Sequence, residues 1–136
     1  MKKIIAILHY ARGYGGSTLS LVDMVKMLRP EFDVTVYVSC KASPTVKKAL
    51  DEIDVRTVVY SKQPKLFAHF SGIVAYKTPG FWYGLVRSYN DKYWINELRN
   101  KYDIVILNSS ILAPLGAILV KNGIKFDKLF VSQAYK

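Results

Sequence analysis

Short apolar runs rich in β-branched residues alternate along this chain with stretches whose apolar residues recur every three or four positions. The runs are typical of strands and the three-to-four periodicity is typical of helices. The predicted strands are Lys3–His9, Phe32–Ser39, Val55–Tyr60, Ile104–Leu107 and Lys128–Ser132. The fourth run is apolar throughout, as expected for a central parallel strand that is covered on both faces.

The first predicted helix lies between the first two strands. Its apolar residues share one face, and they are Leu21, Val22, Val25 and Leu28. Ser17 or Thr18 is positioned to cap its start, and Arg29-Pro30 should end it. A second helix should begin after Ser43 as the N-cap, with Pro44 at the first helical position, where a missing N–H has no cost.

Two more helices are predicted in the second half of the chain. A long helix should run from about Phe81 to Lys101, after an irregular stretch. The last helix should be capped by Asn108, Ser109 and Ser110, and Gly123 stands where a terminating glycine is expected. Strands that alternate with helices in this way favour an α/β fold with a doubly wound parallel sheet in three layers.

The composition agrees with one folded domain over residues 1–136. Apolar residues make up 51% and charged residues 22% of the chain, which is the balance of a globular domain. The apolar stretch 104–120 is interrupted by Asn108, Ser109 and Ser110, so it falls short of the roughly 18 continuous residues that a membrane span requires. Cys40 is the only cysteine, which we expect to be a small buried residue in a reducing cytoplasm.

The net charge is +10, which predicts attraction to an anionic partner such as a phosphate-bearing substrate, acidic lipid headgroups or nucleic acid. Charge alone does not choose among these partners. The two histidines stand far apart with no second ligand at useful spacing, so we expect no metal site and no cofactor.

Ligands of open α/β sheets bind beyond the carboxyl ends of the strands, and two polar clusters stand there. The first follows strand one and contains His9, Tyr10, Arg12, Gly15, Gly16, Ser17 and Thr18. Its glycines would let backbone N–H groups approach a phosphate at the start of a helix, although they also suit a simple tight turn. The spacing matches neither a P-loop nor G-x-G-x-x-G, which disfavours ATP and NAD as ligands.

The second cluster follows strand four and consists of Asn108, Ser109 and Ser110. These residues either cap the next helix or contact a hydroxyl group of the substrate. His9 faces the same edge, where it either lines the cleft or serves as a hydrogen-bonded structural residue.

Two stretches of the chain carry the motifs of a known protein family. One begins with Gly-Gly-Ser-Thr at residues 15–18 and continues through the apolar helix to Phe-Asp-Val-Thr-Val-Tyr-Val at 32–38. The other is Tyr-Asp-Ile-Val-Ile-Leu-Asn-Ser-Ser at 102–110, followed by Ala-Pro-Leu-Gly-Ala at 113–117. These stretches, which together cover about half of the chain, resemble the N-terminal domain of the family-four, group-one glycosyltransferases.

The resemblance implies the N-terminal, Rossmann-like half of a GT-B fold, which mainly holds the acceptor. It implies retaining transfer of a sugar from a nucleotide-sugar co-substrate to a glycan or lipid-linked acceptor, without a metal. Gly15 and Gly16 match the family's glycine pair, which lies against donor phosphates or acceptor. The donor site would lie on a C-terminal domain absent from this chain, so we expect the isolated chain to be inactive and prone to self-association. No catalytic residue is transferred, because residues 131–136 lack the histidine that many relatives carry after strand five.

The segment between Tyr60 and Tyr102 concentrates aromatic and basic residues. One interpretation is a membrane-surface element at the inner face of the membrane, formed by Lys77, Trp82, Arg87 and Lys92. Packing of the aromatic residues on the sheet is the alternative. A nucleic-acid partner is disfavoured, since no recognition motif of a nucleic-acid module is present. The alternative to a glycosyltransferase is therefore a non-enzymatic nucleotide- or nucleic-acid-binding α/β module.

Overall fold

The structure is a computed structural model that describes residues 2–10, 16–62, 91–99, 101–108, 112–124 and 129–131. Its strands are β1 (Lys3–His9), β2 (Phe32–Ser39), β3 (Arg56–Tyr60), β4 (Ile104–Leu107) and β5 (Leu129–Val131). Its helices are α1 (Gly16–Leu28), α2 (Pro44–Glu52), α3 (residues 91–98) and α4 (Ala113–Lys121).

The described strands form one parallel sheet in the order β3-β2-β1-β4-β5. In the centre, Ile5 pairs with Val34 of β2 on one side and with Ile104 of β4 on the other. The chain moves outward from β1 to β3, and then returns to the other side of β1 to add β4 and β5. This arrangement confirms the predicted doubly wound α/β sheet.

The alternation of side chains along β1 creates two separate cores, one on each face of the sheet. Ile5 and Ile7 point to one face, while Ala6 and Leu8 point to the other, and all four are buried. Because successive side chains of a strand point to opposite sides, a central strand that is covered on both faces must be apolar at every position.

Helices cover both cores. The core with Ile5 and Ile7 is closed by apolar residues of α1 and α2, which are Leu21, Val25, Val46 and Leu50. The core with Ala6 and Leu8 is closed by residues of α3 and α4, which are Trp94, Leu98, Leu115 and Leu119. The predicted three-layer arrangement is therefore confirmed.

The prediction of which residues cap the N-terminal ends of α1 and α4 was wrong. The first helix already begins at Gly16, so Ser17 and Thr18 lie inside its first turn, and the Thr18 side chain is buried. The N-cap of α4 is Leu112, which leaves Asn108 four residues too early to cap it. Ser43 does occupy the N-cap of α2, with Pro44 next, but its hydroxyl makes no capping hydrogen bond.

The carboxyl ends of the helices agree with the sequence predictions better than the helix starts do. Gly123 follows α4 with a φ of +107°, a left-handed conformation that favours glycine and ends the helix. The described part of α3 ends at residue 98, before the predicted end at Lys101, and the predicted residues 81–90 lie outside the described ones.

Cys40 is exposed, and the prediction of a buried thiol was wrong. The strand β2 ends at Ser39, so Cys40 belongs to the turn that leaves the sheet. Within the described residues, no helix combines the length and the apolar character that crossing a membrane would require.

Candidate ligand crevice at the switch point of the sheet

The strand order reverses between β1 and β4, which lie side by side. Leu8 pairs with Leu107, and the Asn108 N–H donates to the Leu8 carbonyl at 2.9 Å. The helix after β1 packs on one face of the sheet and the helix after β4 packs on the other. Open α/β sheets bind ligands in the crevice that such a reversal creates beyond the carboxyl ends of the strands, so we take this edge as the candidate ligand crevice.

Three polar side chains from different elements meet at the base of this crevice. His9 ends β1, Asn108 follows β4, and Thr18 lies in the first turn of α1. The Asn108 Nδ2 donates to His9 Nδ1 at 3.0 Å, and His9 Nε2 lies 3.3 Å from Thr18 Oγ1. All three residues are fully buried, so they form an internal bridge between both central strands and α1.

The contacts define the protonation state of His9. An amide nitrogen can only donate, so Nδ1 must accept, and the proton of the neutral ring lies on Nε2, directed at Thr18. Burial lowers the pKa of His9 from 6.5 to about 4. His9 is therefore a neutral imidazole at physiological pH, with both ring nitrogens engaged.

The backbone of His9 is held from the β3 side. The buried Tyr60 hydroxyl donates to the His9 carbonyl at 3.1 Å, and burial raises the pKa of Tyr60 well above its ordinary value. Trp94 stacks edge-on against Tyr60, with ring centroids 5.0 Å apart, and its Nε1 donates to the Lys62 carbonyl at 3.0 Å. Thus α3 fastens the ends of β3 and β1 together.

A second polar contact lies deeper under the same face. Tyr37 of β2 donates its hydroxyl hydrogen to Glu97 Oε2 at 2.7 Å, and its oxygen lies 2.7 Å from the Tyr102 hydroxyl. Burial and these two hydrogen bonds raise the pKa of Tyr37. The phenol therefore stays protonated and contributes to packing rather than to the crevice.

The structure brings part of the predicted site together. His9, Thr18 and Asn108 are in contact, α1 begins at Gly16 two residues before Thr18, and Tyr10 is half-buried against the neighbouring core. The geometry agrees with His9 as a hydrogen-bonded structural residue. Its contact with a ligand stays a prediction.

Other predicted site residues lie outside what the structure describes. They are Arg12, Gly15, Ser109 and Ser110, together with the side chain of Ser17. Sequence reasoning missed Tyr60, because a tyrosine that ends a strand carries no local signal that its hydroxyl bonds a carbonyl 51 residues away.

The aromatic and basic segment is described only at its end. Lys92 is exposed on α3, whereas Lys77, Trp82 and Arg87 lie outside the described residues. Trp94 is fully buried, with Tyr37, Tyr60 and Tyr93 around it. This end of the segment thus packs on the sheet. Over the described ranges, no group of three or more His, Cys, Asp or Glu side chains could hold a metal ion.

Comparison with solved structures shows that the chain has the Rossmann-like fold of GT-B glycosyltransferases. The first similar structure is Anabaena Alr3699/HepE in complex with UDP and glucose, with a TM-score of 0.54, 20% identity, and coverage of 88% of this chain and 27% of that one. The second is LpCGTa in complex with UDP, with a TM-score of 0.61, 12% identity, and coverage of 100% and 32%. The chain thus spans about a third or less of either protein. No protein-family model and no curated protein sequence matches it.

Proposed function

We propose that this chain forms the acceptor-side domain of a retaining glycosyltransferase that moves a sugar from a nucleotide-sugar donor to a glycan or lipid-linked acceptor. Support comes from the glycosyltransferase-like fold and from the two similar structures, both of which were solved in complex with UDP. The reaction would need no metal, and the donor site would lie mainly on a second domain.

The observation that carries this proposal is the buried bridge of His9, Thr18 and Asn108 at the switch point of the sheet. It ties the first turn of α1 to both central strands, so the start of that helix, whose first N–H groups have no acceptor within the helix, is held at the crevice. A helix N-terminus attracts anions, and α1 carries no acidic residue in its first turn that would compete with one. The diphosphate of a nucleotide sugar has the charge that this position favours.

The role of His9 follows from its contacts. A general base must reach the proton that it removes, and its pKa should lie near the working pH. Both ring nitrogens of His9 already have partners, and burial lowers its pKa to about 4. We therefore assign His9 a positioning role, in which it orients the start of α1 at Gly16.

A membrane contact is a further part of the proposal, with the chain at the cytoplasmic face of a membrane. Lys92 supports it among the described residues, because it is exposed on α3. Basic residues near anionic headgroups contribute about 1 kcal/mol each, and salt screens this attraction. Binding to anionic vesicles should thus weaken with added salt and when Lys77, Arg87 and Lys92 are replaced by glutamine. Vesicle binding that ignores both changes would contradict the membrane contact.

The test of the glycosyltransferase proposal is a bulky substitution at the start of α1 in the intact polypeptide that contains this chain. Gly16→Trp places an indole where the ligand phosphates should approach. The matched control is Leu19→Trp, on the same helix at a side chain that is 51% exposed. Gly16→Trp should reduce acceptor-dependent nucleotide release from nucleotide sugars about 100-fold, since misplacement by an ångström has effects of this size.

Circular dichroism should show that both variants keep the fold, and Leu19→Trp should keep its activity. Equal activity of the two variants would contradict the proposed site. The chain by itself should release no nucleotide, because transfer requires donor and acceptor to be held together in a closed cleft. Absence of transfer by the intact polypeptide, combined with tight binding of single-stranded nucleic acid, would favour the non-enzymatic alternative.

A further inference from the structure

The ends of β2 and β3 bring two lysines to one place at the carboxyl edge of the sheet. Ser39 pairs with Tyr60 in the last register position, and the Cys40 N–H donates to the Tyr60 carbonyl at 2.8 Å. Lys41 and Lys62 each follow these paired residues by two positions. Their chains therefore leave the sheet side by side, although the two lysines are far apart in the sequence.

The backbone of each lysine is anchored. The Lys41 N–H donates to Ser39 Oγ at 3.1 Å, and the Lys62 carbonyl accepts from Trp94 Nε1 at 3.0 Å. The Lys62 ammonium lies 5.1 Å from the centroid of the Tyr93 ring, a cation–π distance that restrains the side chain. The backbones of both lysines and the side chain of Lys62 are thus restrained, while the Lys41 side chain is exposed to solvent.

The carboxyl edge of the sheet carries an excess of positive charge near this pair. Lys92 stands in the first turn of α3, next to Tyr93, whose ring contacts Lys62, and Asp91 is the one carboxylate in that described turn. An excess of positive charge attracts anions.

We propose that Lys41 and Lys62 bind a phosphate group of the acceptor. The inference rests on the proposed glycosyltransferase function and specifies its acceptor class. The β3 strand is two strand spacings from β1, about 10 Å, so this pair is separate from the start of α1, where the donor diphosphate would lie. Two ammonium groups match the double negative charge of a phosphate monoester.

The binding test uses the chain itself at low salt, with amide chemical shifts followed by NMR. Glucose 6-phosphate is the charged probe and glucose is its neutral counterpart. Glucose 6-phosphate should shift amides at residues 39–41 and 60–62 in a saturable way, and glucose should not. The double variant Lys41→Gln/Lys62→Gln should weaken this binding about tenfold, which corresponds to about 1.4 kcal/mol.

The matched control is Lys26→Gln/Lys121→Gln, which removes the same charge from two exposed lysines of α1 and α4. It should bind glucose 6-phosphate like the unmodified chain. Equal weakening in both double variants, or absence of saturable binding, would overturn the proposal, because the attraction would then come from net charge alone.

Two further comparisons identify the source of the phosphate and separate this inference from the proposed function. Sedimentation with phosphatidylcholine vesicles that contain phosphatidic acid tests whether the phosphate belongs to a lipid. Tighter binding to these vesicles than to glucose 6-phosphate supports a lipid-linked acceptor, provided that Lys41→Gln/Lys62→Gln abolishes the difference. The second comparison measures sugar transfer by the intact polypeptide to neutral and to phosphorylated acceptors. Equal transfer to both, unchanged in the double variant, would overturn the phosphate site and leave the glycosyltransferase function intact.

Discussion

Protonation of His9 should control the stability of this fold in mildly acidic solution. The ring is fully buried, and its neighbours Thr18, Asn108 and Tyr60 offer no negative charge to an imidazolium. Burial accordingly lowers its pKa to about 4 in the folded state, compared with 6.5 for an exposed histidine. Between these two values the unfolded chain binds more protons than the folded chain, so stability falls as the pH falls.

The size of the effect follows from the two pKa values. One pKa unit corresponds to about 1.4 kcal/mol, so complete protonation destabilises the fold by about 3 kcal/mol. The full stability is present above pH 6.5, and about 2 kcal/mol should be lost at about pH 5. The loss should level off below about pH 4. A domain of this size has a stability of roughly 5–15 kcal/mol, so the change is a large fraction of the total.

The assay is urea unfolding followed by tryptophan fluorescence, at a series of pH values between 7 and 4. The reference variant is His9→Gln, because glutamine can accept from Asn108 and donate to Thr18 but does not titrate. The pH-dependent difference between the two proteins isolates His9. Contributions from His69 and from the carboxylates are common to both proteins and cancel.

Glu97 belongs to those common contributions. Burial opposes the charge on its carboxylate, but hydrogen bonds from Tyr37 and Lys101 lower its pKa below 4.5. Its contribution is therefore lost at lower pH than that of His9. Parallel stability profiles for the unmodified chain and His9→Gln would refute the reasoning. NMR of the His9 ring gives an independent check, since a titration midpoint near 6.5 in the folded chain would also refute it.

Two other substitutions, Trp94→Ala and Gly123→Ala, test the packing and the backbone of the fold by chemical unfolding, and Met27→Ala serves as the control. Trp94→Ala should destabilise the chain by about 4 kcal/mol, because it leaves a cavity at a fully buried position in the core under α3. Met27→Ala removes a side chain that is 72% exposed, so it should change the free energy of unfolding by less than about 0.5 kcal/mol. Gly123→Ala should cost about 1 kcal/mol, because φ is +107° there while the new methyl group would meet Arg99 Cδ at an ordinary 3.6 Å. Similar losses for Trp94→Ala and Met27→Ala, or an unchanged stability for Gly123→Ala, would contradict these expectations.

Much of the fold could be predicted from the sequence. The bounds of β1, β2 and β4 agree with the predicted runs, since strand formation reflects the alternation and branching of nearby side chains. Pro44 marked the start of α2 because it lacks a backbone N–H, and Gly123 marked the end of α4 because glycine tolerates a left-handed backbone. Both reasons are local. The three-layer α/β architecture followed from the order of these elements.

The base of the crevice was decided by tertiary structure. His9 and Asn108 are 99 residues apart, and their contact exists because β1 and β4 became neighbours. Local preference made Thr18 and Asn108 look like helix caps, but burial at the switch point gave each of them a better partner in His9. A buried polar group must find a hydrogen bond wherever the packed fold supplies one. The sequence by itself therefore determined which segments become strands and helices, whereas the polar contacts at the crevice depended on the order in which the strands pair.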